Sequence, residues 1–217
     1  YLNATFNVIP FSYGVFISFV TLTVLLLSAH SACVLANNDS AISKLNLNDT
    51  ITVSGLSSGA YMAGQYHQAF ASQVKGVAML AGGPVYCAQN SLGLALEHCF
   101  NKDTSAPDLS AIEQYLTTAR EADKLAPLSA QANDKIWILN GTEDKTVQPK
   151  LGALLFQQDQ QWVKPENIVF VDDKAFAHTF PTDRTDLGSC SQSEPPYLAS
   201  CNYDAAGALL NHLIGDI

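Results

Sequence analysis

The sequence predicts an α/β domain in which a mostly parallel β-sheet is flanked by helices. Continuous apolar runs of strand length alternate with longer segments whose apolar residues recur at helical spacing. The short runs are apolar throughout instead of alternating with polar residues, which is typical of parallel strands that are buried on both faces. We therefore expect functional residues at the carboxyl ends of the strands, where the binding sites of such sheets lie.

Each predicted element has its own local signal. The first strand is rich in β-branched residues, the third ends at a glycine, and the fourth ends at an acidic pair. The third helix begins at Pro149, and proline is tolerated at a first helical position. The predicted strands are 51–54, 76–80, 135–140 and 167–171. The predicted helices are 58–72, 109–125, 149–162 and 203–214, with an irregular segment at 86–104 and a loop at 176–202.

Composition excludes several classes of protein. The 217 residues are 47% hydrophobic and 14% charged, so the chain can bury a substantial core and is not disordered. The formal net charge is −9, with 11 Lys and Arg against 20 Asp and Glu. Because nucleic acids and anionic membrane surfaces attract basic proteins, this balance disfavours both as partners. A neutral or cationic substrate fits the charge better.

The amino-terminal segment differs from the rest of the chain. No charged residue precedes Asp39, and Tyr13 to Leu27 is almost entirely apolar or small. This pattern predicts a signal peptide over 1–36 that is cut near Ala36, leaving a secreted or periplasmic domain at 37–217. An uncleaved membrane anchor is the alternative, because the apolar run approaches the length of a membrane span.

The mature segment contains four cysteines, which suggests two disulfides in an exported chain. Three connectivities are open. We favour the nearest-neighbour pairing, which closes two short loops, and reduced buried thiols are the alternative. No two of these cysteines have a C-x-x-C spacing, so we expect no metal site. The favoured pairs are Cys87 with Cys99 and Cys190 with Cys201.

A candidate nucleophile lies between the first predicted strand and the first helix. The segment 55–59 reads GLSSG and matches the G-x-S-x-G motif in the strand–turn–helix context that the motif requires. The sharp turn raises the Ser57 hydroxyl above the sheet and directs the start of the helix at a developing oxyanion. Ser58 is the neighbouring alternative as nucleophile, and its backbone N–H is a candidate oxyanion donor.

A serine nucleophile needs a base and an acid that orients the base. Asp144 follows the third predicted strand, with Glu143 as a close rival, and His178 is a histidine in the loop after the fourth strand. The chain order Ser57, Asp144, His178 is the order of α/β-hydrolases. The order therefore predicts an α/β-hydrolase-like domain whose chemistry needs no cofactor or metal.

Four stretches of the chain also resemble one family, the poly(3-hydroxybutyrate) depolymerases. They read VSGLSSGAYMA at 53–63, AGGPVYCA at 81–88, AHTFPT at 177–182 and PYLASCNYDAAG at 196–207. The resemblance covers about 51–215 and implies a circularly permuted α/β-hydrolase with Ser57, Asp144 and His178 in the triad. It also implies a continuation that supplies further strands and a second oxyanion donor, so we expect the fold of this chain to be incomplete.

The substrate implied by the resemblance is poly(3-hydroxybutyrate) or its oligomers, a neutral polyester. Two alternatives stay open at this stage. The same residues could serve a small-ester or feruloyl-type carbohydrate esterase. The chain could also be a catalytically impaired secreted binding protein that retains a vestigial triad. The sequence does not indicate the oligomeric state.

Overall fold

The computed structural model describes residues 50–100 and 106–215, and the account below concerns these residues. The predicted signal peptide at 1–36, and its alternative as an anchor, lie outside them. Within the described ranges, no helix has both the length and the apolar character needed to cross a membrane.

The main sheet has four parallel strands in sequential order. They are β1 (Ile51–Leu56), β2 (Val74–Leu80), β3 (Lys135–Leu139) and β4 (Ile168–Val171). Each strand pairs in parallel register with the next, for example Leu56 with Leu80 and Leu80 with Leu139. All four strands therefore end at the same edge of the sheet, and this edge is where the predicted site residues lie.

The described ranges contain five α-helices and two short 3-10 helices, Leu128–Ala130 and Pro165–Asn167. The α-helices are α1 (Ser58–Phe70), α2 (Leu92–His98), α3 (Leu109–Glu121), α4 (Pro149–Asp159) and α5 (Ala205–Ile214). The start of α3 is capped by Asp108, whose carboxylate accepts from two backbone amides. The start of α5 is capped by Asp204, whose carboxylate accepts from one backbone amide, that of Gly207.

The sheet is buried on both faces, which explains why its strands are apolar throughout. On one face, Val77 and Met79 of β2 pack with residues of α1, α3 and α4. On the other face, Ala78 and Leu80 of β2 pack with residues of α5. Side chains of a strand alternate between faces, so both sets of positions have to be apolar. The predicted parallel α/β fold is confirmed.

Two segments that were predicted to be irregular contain short elements. Helix α2 lies within 86–104 and buries none of its residues, and with seven residues it is too short to show a repeated helical period. The loop at 176–202 contains a second parallel sheet formed by β5 (Phe180–Thr182), β6 (Gly188–Ser189) and β7 (Leu198–Ser200), in the order β5-β7-β6. Strands of two or three residues are too short to show any periodicity.

Candidate active site

Ser57 occupies the sharp turn between β1 and α1. Its backbone has φ 60° and ψ −122°, a conformation that side-chain-bearing residues rarely adopt and that is stable only when the surroundings enforce it. The Ser57 amide donates to the carbonyl of Leu80 at 2.9 Å. The Ser57 carbonyl accepts from the amides of Ala60 and Tyr61 at 2.9 and 3.2 Å, which closes the first turn of α1.

The first glycine of the motif is required by close backbone packing. A Cβ atom at Gly55 would overlap the backbone carbonyl group of Gly59. A Cβ atom at Gly59 would meet no atom within 4 Å. The turn therefore depends on the absence of a side chain at position 55, which lets β1 approach the start of α1.

Asp144 lies in the turn that follows β3, and its side chain is fully buried. Its Oδ1 accepts from the backbone amides of Thr146 and Val147 at 2.8 and 2.9 Å. These two bonds fix the orientation of the carboxylate and leave Oδ2 for a third partner.

His178 lies in the loop between β4 and β5 and joins the other two residues. Its Nδ1 is 2.8 Å from Asp144 Oδ2, and its Nε2 is 2.8 Å from Ser57 Oγ. Because a carboxylate can only accept, Nδ1 carries the hydrogen of a neutral imidazole, and Nε2 accepts from the Ser57 hydroxyl. The three side chains thus form one hydrogen-bonded chain, although Ser57 and His178 are 121 residues apart in the sequence. Such a chain can take the proton of a serine hydroxyl during nucleophilic attack.

The Ser57 hydroxyl and the His178 imidazole face a cavity of about 470 Å³. Leu56, Thr146, Ser193 and Tyr197 complete its lining. A second cavity of about 220 Å³ is lined in part by Ser58, the next residue of the turn. The backbone N–H of Ser58 belongs to the first turn of α1, where amides have no acceptor within the helix, so it is available to an oxyanion.

Comparison with known proteins supports the fold and the family. No protein-family model matches the chain. A poly(3-hydroxybutyrate) depolymerase of Delftia acidovorans is 36% identical over 168 residues, which are 76% of this chain and 33% of that protein. A polyhydroxybutyrate depolymerase of Talaromyces funiculosus is 32% identical over 181 residues, 82% of this chain and 52% of that protein. Over most of its length, the chain is thus similar to poly(3-hydroxybutyrate) depolymerases. It spans about a third to a half of the length of these relatives.

Solved structures of the family agree with the described fold. The crystal structure of a PHB depolymerase from Penicillium funiculosum matches with a TM-score of 0.70 at 32% identity, covering 79% of this chain and 54% of that one. A PHB depolymerase complexed with an R3HB trimer matches equally well. The α/β-hydrolase type predicted from the order of the three residues is confirmed by this likeness.

Glu143, the rival acid, and His67, a buried histidine of α1, do not take part in this hydrogen-bonded chain. Glu143 is exposed, while the neighbouring Asp144 is buried against His178. His67 forms a separate buried pair with Asp134, at 2.9 Å between Nε2 and Oδ2, in which Lys75 also contacts Asp134 at 3.3 Å. The structure therefore brings together Ser57, Asp144 and His178, the three residues favoured from the sequence.

Sequence reasoning assigned no role at the site to three other residues near it, although Tyr61 and Tyr197 lie in stretches that carry the family resemblance. Ser193 and Tyr197 lie in a segment that was predicted only as a loop. Tyr61 has its hydroxyl 2.9 Å from the carbonyl of Cys99, and burial, followed by the nearby Asp144 carboxylate, raises the pKa of this phenol. Such contacts join residues far apart in the chain, so no local pattern could indicate them.

The described residues contain two disulfides. Cys87 is bonded to Cys99, and Cys190 to Cys201, which is the favoured nearest-neighbour pairing. Cys87 and Cys99 line the second cavity, which Ser58 also lines. Within residues 50–100 and 106–215, no three His, Cys, Asp or Glu side chains are grouped so that they could hold a metal ion.

Proposed function

We propose that this chain is a serine esterase, a carboxylic ester hydrolase that cleaves ester bonds of poly(3-hydroxybutyrate) or its oligomers. Ser57 is the nucleophile, His178 the general base and Asp144 the acid that orients it. The observation that carries the proposal is the hydrogen-bonded chain Asp144–His178–Ser57, with 2.8 Å at both histidine nitrogens.

In the first half of the reaction, Nε2 of His178 takes the hydroxyl proton of Ser57 as Oγ attacks the ester carbonyl carbon. The carbonyl π electrons move to the oxygen, and the Ser58 amide donates to the resulting oxyanion. The Asp144 carboxylate stabilises the imidazolium through Nδ1. The oxyanion then re-forms the carbonyl, the ester C–O bond breaks, and the imidazolium gives its proton to the leaving alkoxide. The product is an acyl-enzyme on Ser57.

In the second half, water replaces the alcohol. His178 takes a proton from water, and the hydroxide oxygen attacks the acyl carbon. Collapse of the second tetrahedral intermediate breaks the bond to Ser57 Oγ, which regains a proton from His178. The carboxylic acid product leaves and loses its own proton to solvent. Each step uses only protein groups and water.

The substrate class is supported by the relatives and by the charge of the chain. Both curated relatives are named as depolymerases of this polymer, and one related structure is a complex with an R3HB trimer. A polyester is uncharged, so a formal net charge of −9 does not oppose its approach. We further propose that residues 37–217 act as an exported catalytic domain, since the two disulfides suit an oxidising compartment.

Labelling with a fluorophosphonate probe tests the nucleophile directly. We expect covalent modification of Ser57 in the folded chain and none in Ser57→Ala. Absence of labelling in folded, disulfide-bonded protein would favour the catalytically impaired binding protein instead.

A substrate panel tests the reaction. We expect release of 3-hydroxybutyrate units from oligomers or amorphous polymer at rates that exceed hydrolysis of aryl acetates and feruloyl esters. Faster cleavage of feruloyl or small esters, with no release from oligomers, would overturn the substrate assignment while leaving the triad in place.

A further inference from the structure

The segment that carries His178 is held along one side by a disulfide-closed loop. We call residues 190–201 the disulfide loop, because the Cys190–Cys201 bond joins its two ends. The Ala177 amide donates to the carbonyl of Cys190 at 2.9 Å, and the Phe180 amide donates to the carbonyl of Tyr197 at 2.8 Å. Between them, the His178 amide donates to the hydroxyl oxygen of Ser193 at 2.9 Å.

Of these three hydrogen bonds, only the one from the His178 amide is accepted by a side chain, that of Ser193. The bonds to Cys190 and Tyr197 use carbonyl oxygens, which every residue carries, whereas the bond to His178 depends on the residue type at position 193. Ser193 is exposed and lines the same cavity as Ser57 and His178. Substitution there can alter the position of His178 without leaving a hole in the core.

Tyr197 presents an aromatic ring at that cavity from a strained backbone. Its φ is 61°, in the left-handed region that favours glycine, and its side chain is 44% exposed. A half-exposed ring on a backbone that disfavours a side chain is costly to keep, and such strain is concentrated at functional positions. The ring adds apolar surface beside Ser57, where an aliphatic ester unit has to lie during attack.

We propose that the disulfide loop performs two separate tasks at the site. Ser193 is a positioning residue that holds the backbone of His178, and Tyr197 is a specificity-determining residue that contacts the ester unit next to the scissile bond. This inference rests on the proposed esterase function. The two tasks differ in their kinetic effects. Positioning of the base affects kcat, whereas contact with a neighbouring ester unit affects KM.

For Ser193, the expected result is a fall in kcat with KM unchanged. Losing one neutral hydrogen bond at the base corresponds to about a three- to tenfold loss in kcat for Ser193→Ala. Ser193→Thr keeps the hydroxyl and should restore most of the rate. Ser191→Ala is the matched control, since Ser191 is an exposed serine of the same loop whose hydroxyl pairs with that of Ser189. Equal kcat in Ser193→Ala and Ser191→Ala would overturn the positioning role.

For Tyr197, the expected result is a rise in KM that depends on substrate length. Tyr197→Gly removes the ring and suits the backbone conformation, so the loop is expected to keep its shape and the melting temperature not to fall. We expect about a tenfold higher KM for a 3-hydroxybutyrate trimer, little change in kcat, and an unchanged KM for an aryl acetate. Tyr197→Phe keeps the apolar ring and should behave like the unmodified chain. An unchanged KM for the trimer in Tyr197→Gly would overturn the contact.

Two different sets of results would contradict the esterase function and the roles of Ser193 and Tyr197. If the unmodified folded chain is not labelled by fluorophosphonate and hydrolyses neither the trimer nor an aryl acetate, the esterase function and the roles of Ser193 and Tyr197 fall together. If the unmodified chain is labelled and hydrolyses the trimer, but Ser193→Ala and Tyr197→Gly match it in kcat and KM, the esterase function stands. The roles of the disulfide loop are then overturned.

Discussion

Replacing Asp144 with asparagine is expected to stop turnover without unfolding the protein. Oδ1 of Asp144 accepts from two backbone amides, those of Thr146 and Val147. In Asp144→Asn, the amide oxygen has to take this position, because the side-chain NH2 group cannot accept from backbone N–H groups. The NH2 group then faces Nδ1 of His178.

This orientation forces His178 into the wrong tautomer. Nδ1 has to become the acceptor of the new NH2 group, so the ring hydrogen moves to Nε2, the atom that faces Ser57 Oγ at 2.8 Å. A protonated Nε2 cannot take the serine proton. In a serine protease with the same arrangement, this exchange lowers kcat by about 10⁴, which corresponds to roughly 5 kcal/mol of transition-state stabilisation. We expect a loss of similar size here.

Steady-state hydrolysis of an aryl acetate and of 3-hydroxybutyrate trimers measures the effect, with thermal denaturation as the check on folding. The matched control is Glu143→Gln, which makes the same carboxylate-to-amide change at the adjacent exposed residue and should retain activity within about twofold. The reasoning would be refuted if folded Asp144→Asn kept more than a tenth of kcat, or if Glu143→Gln lost more activity than Asp144→Asn.

Three further predictions concern stability. Gly55→Ala should strongly lower the melting temperature or prevent folding, because its Cβ would overlap the Gly59 backbone, whereas Gly59→Ala should melt within a few degrees of the unmodified chain. Asp159→Asn should make thermal stability less dependent on pH, since burial and then Glu113 raise the pKa of the Asp159 carboxyl to about 8. Replacing Cys190 and Cys201 together with serine should cost about 3 kcal/mol, the loop entropy for a separation of 11 residues, measured by denaturant unfolding.

The direction of the Asp159 effect follows from proton linkage. The folded-state pKa is about 8 and the ordinary value is 3.8, so the folded protein holds the extra proton between these limits. The stability contributed by the neutral carboxyl is complete below about pH 4 and is lost as the pH rises to about 8, at a slope on the order of 1 kcal/mol per pH unit. A melting curve that shifts equally with pH in the unmodified chain and in Asp159→Asn would contradict this account.

Each of the other two predictions has its own contrary result. Gly55→Ala and Gly59→Ala melting at the same temperature would mean that the turn does not depend on close packing at position 55. Unchanged unfolding of the Cys190→Ser, Cys201→Ser variant would mean that the bond does not restrict the unfolded chain.

The sequence alone determined the layer structure and reduced the candidate site to a few residues that follow its strands. Buried parallel strands are apolar on both faces, so β2 and β3 are evident as continuous runs, and the residues that follow such strands have to meet at one edge. The residues that follow these strands include Ser57, the pair Glu143 and Asp144, and His178. The G-x-S-x-G motif is equally local, because Gly55 and Gly59 belong to a single turn.

Only the tertiary structure decided between neighbouring candidates and revealed what supports the site. Asp144 and Glu143 are equivalent in sequence, but two backbone amides and His178 surround only Asp144. The small second sheet and the roles proposed for Ser193 and Tyr197 also needed coordinates. Periodic patterns report which face of an element is buried, whereas a hydrogen bond between distant loops depends on a geometry that no periodic pattern encodes.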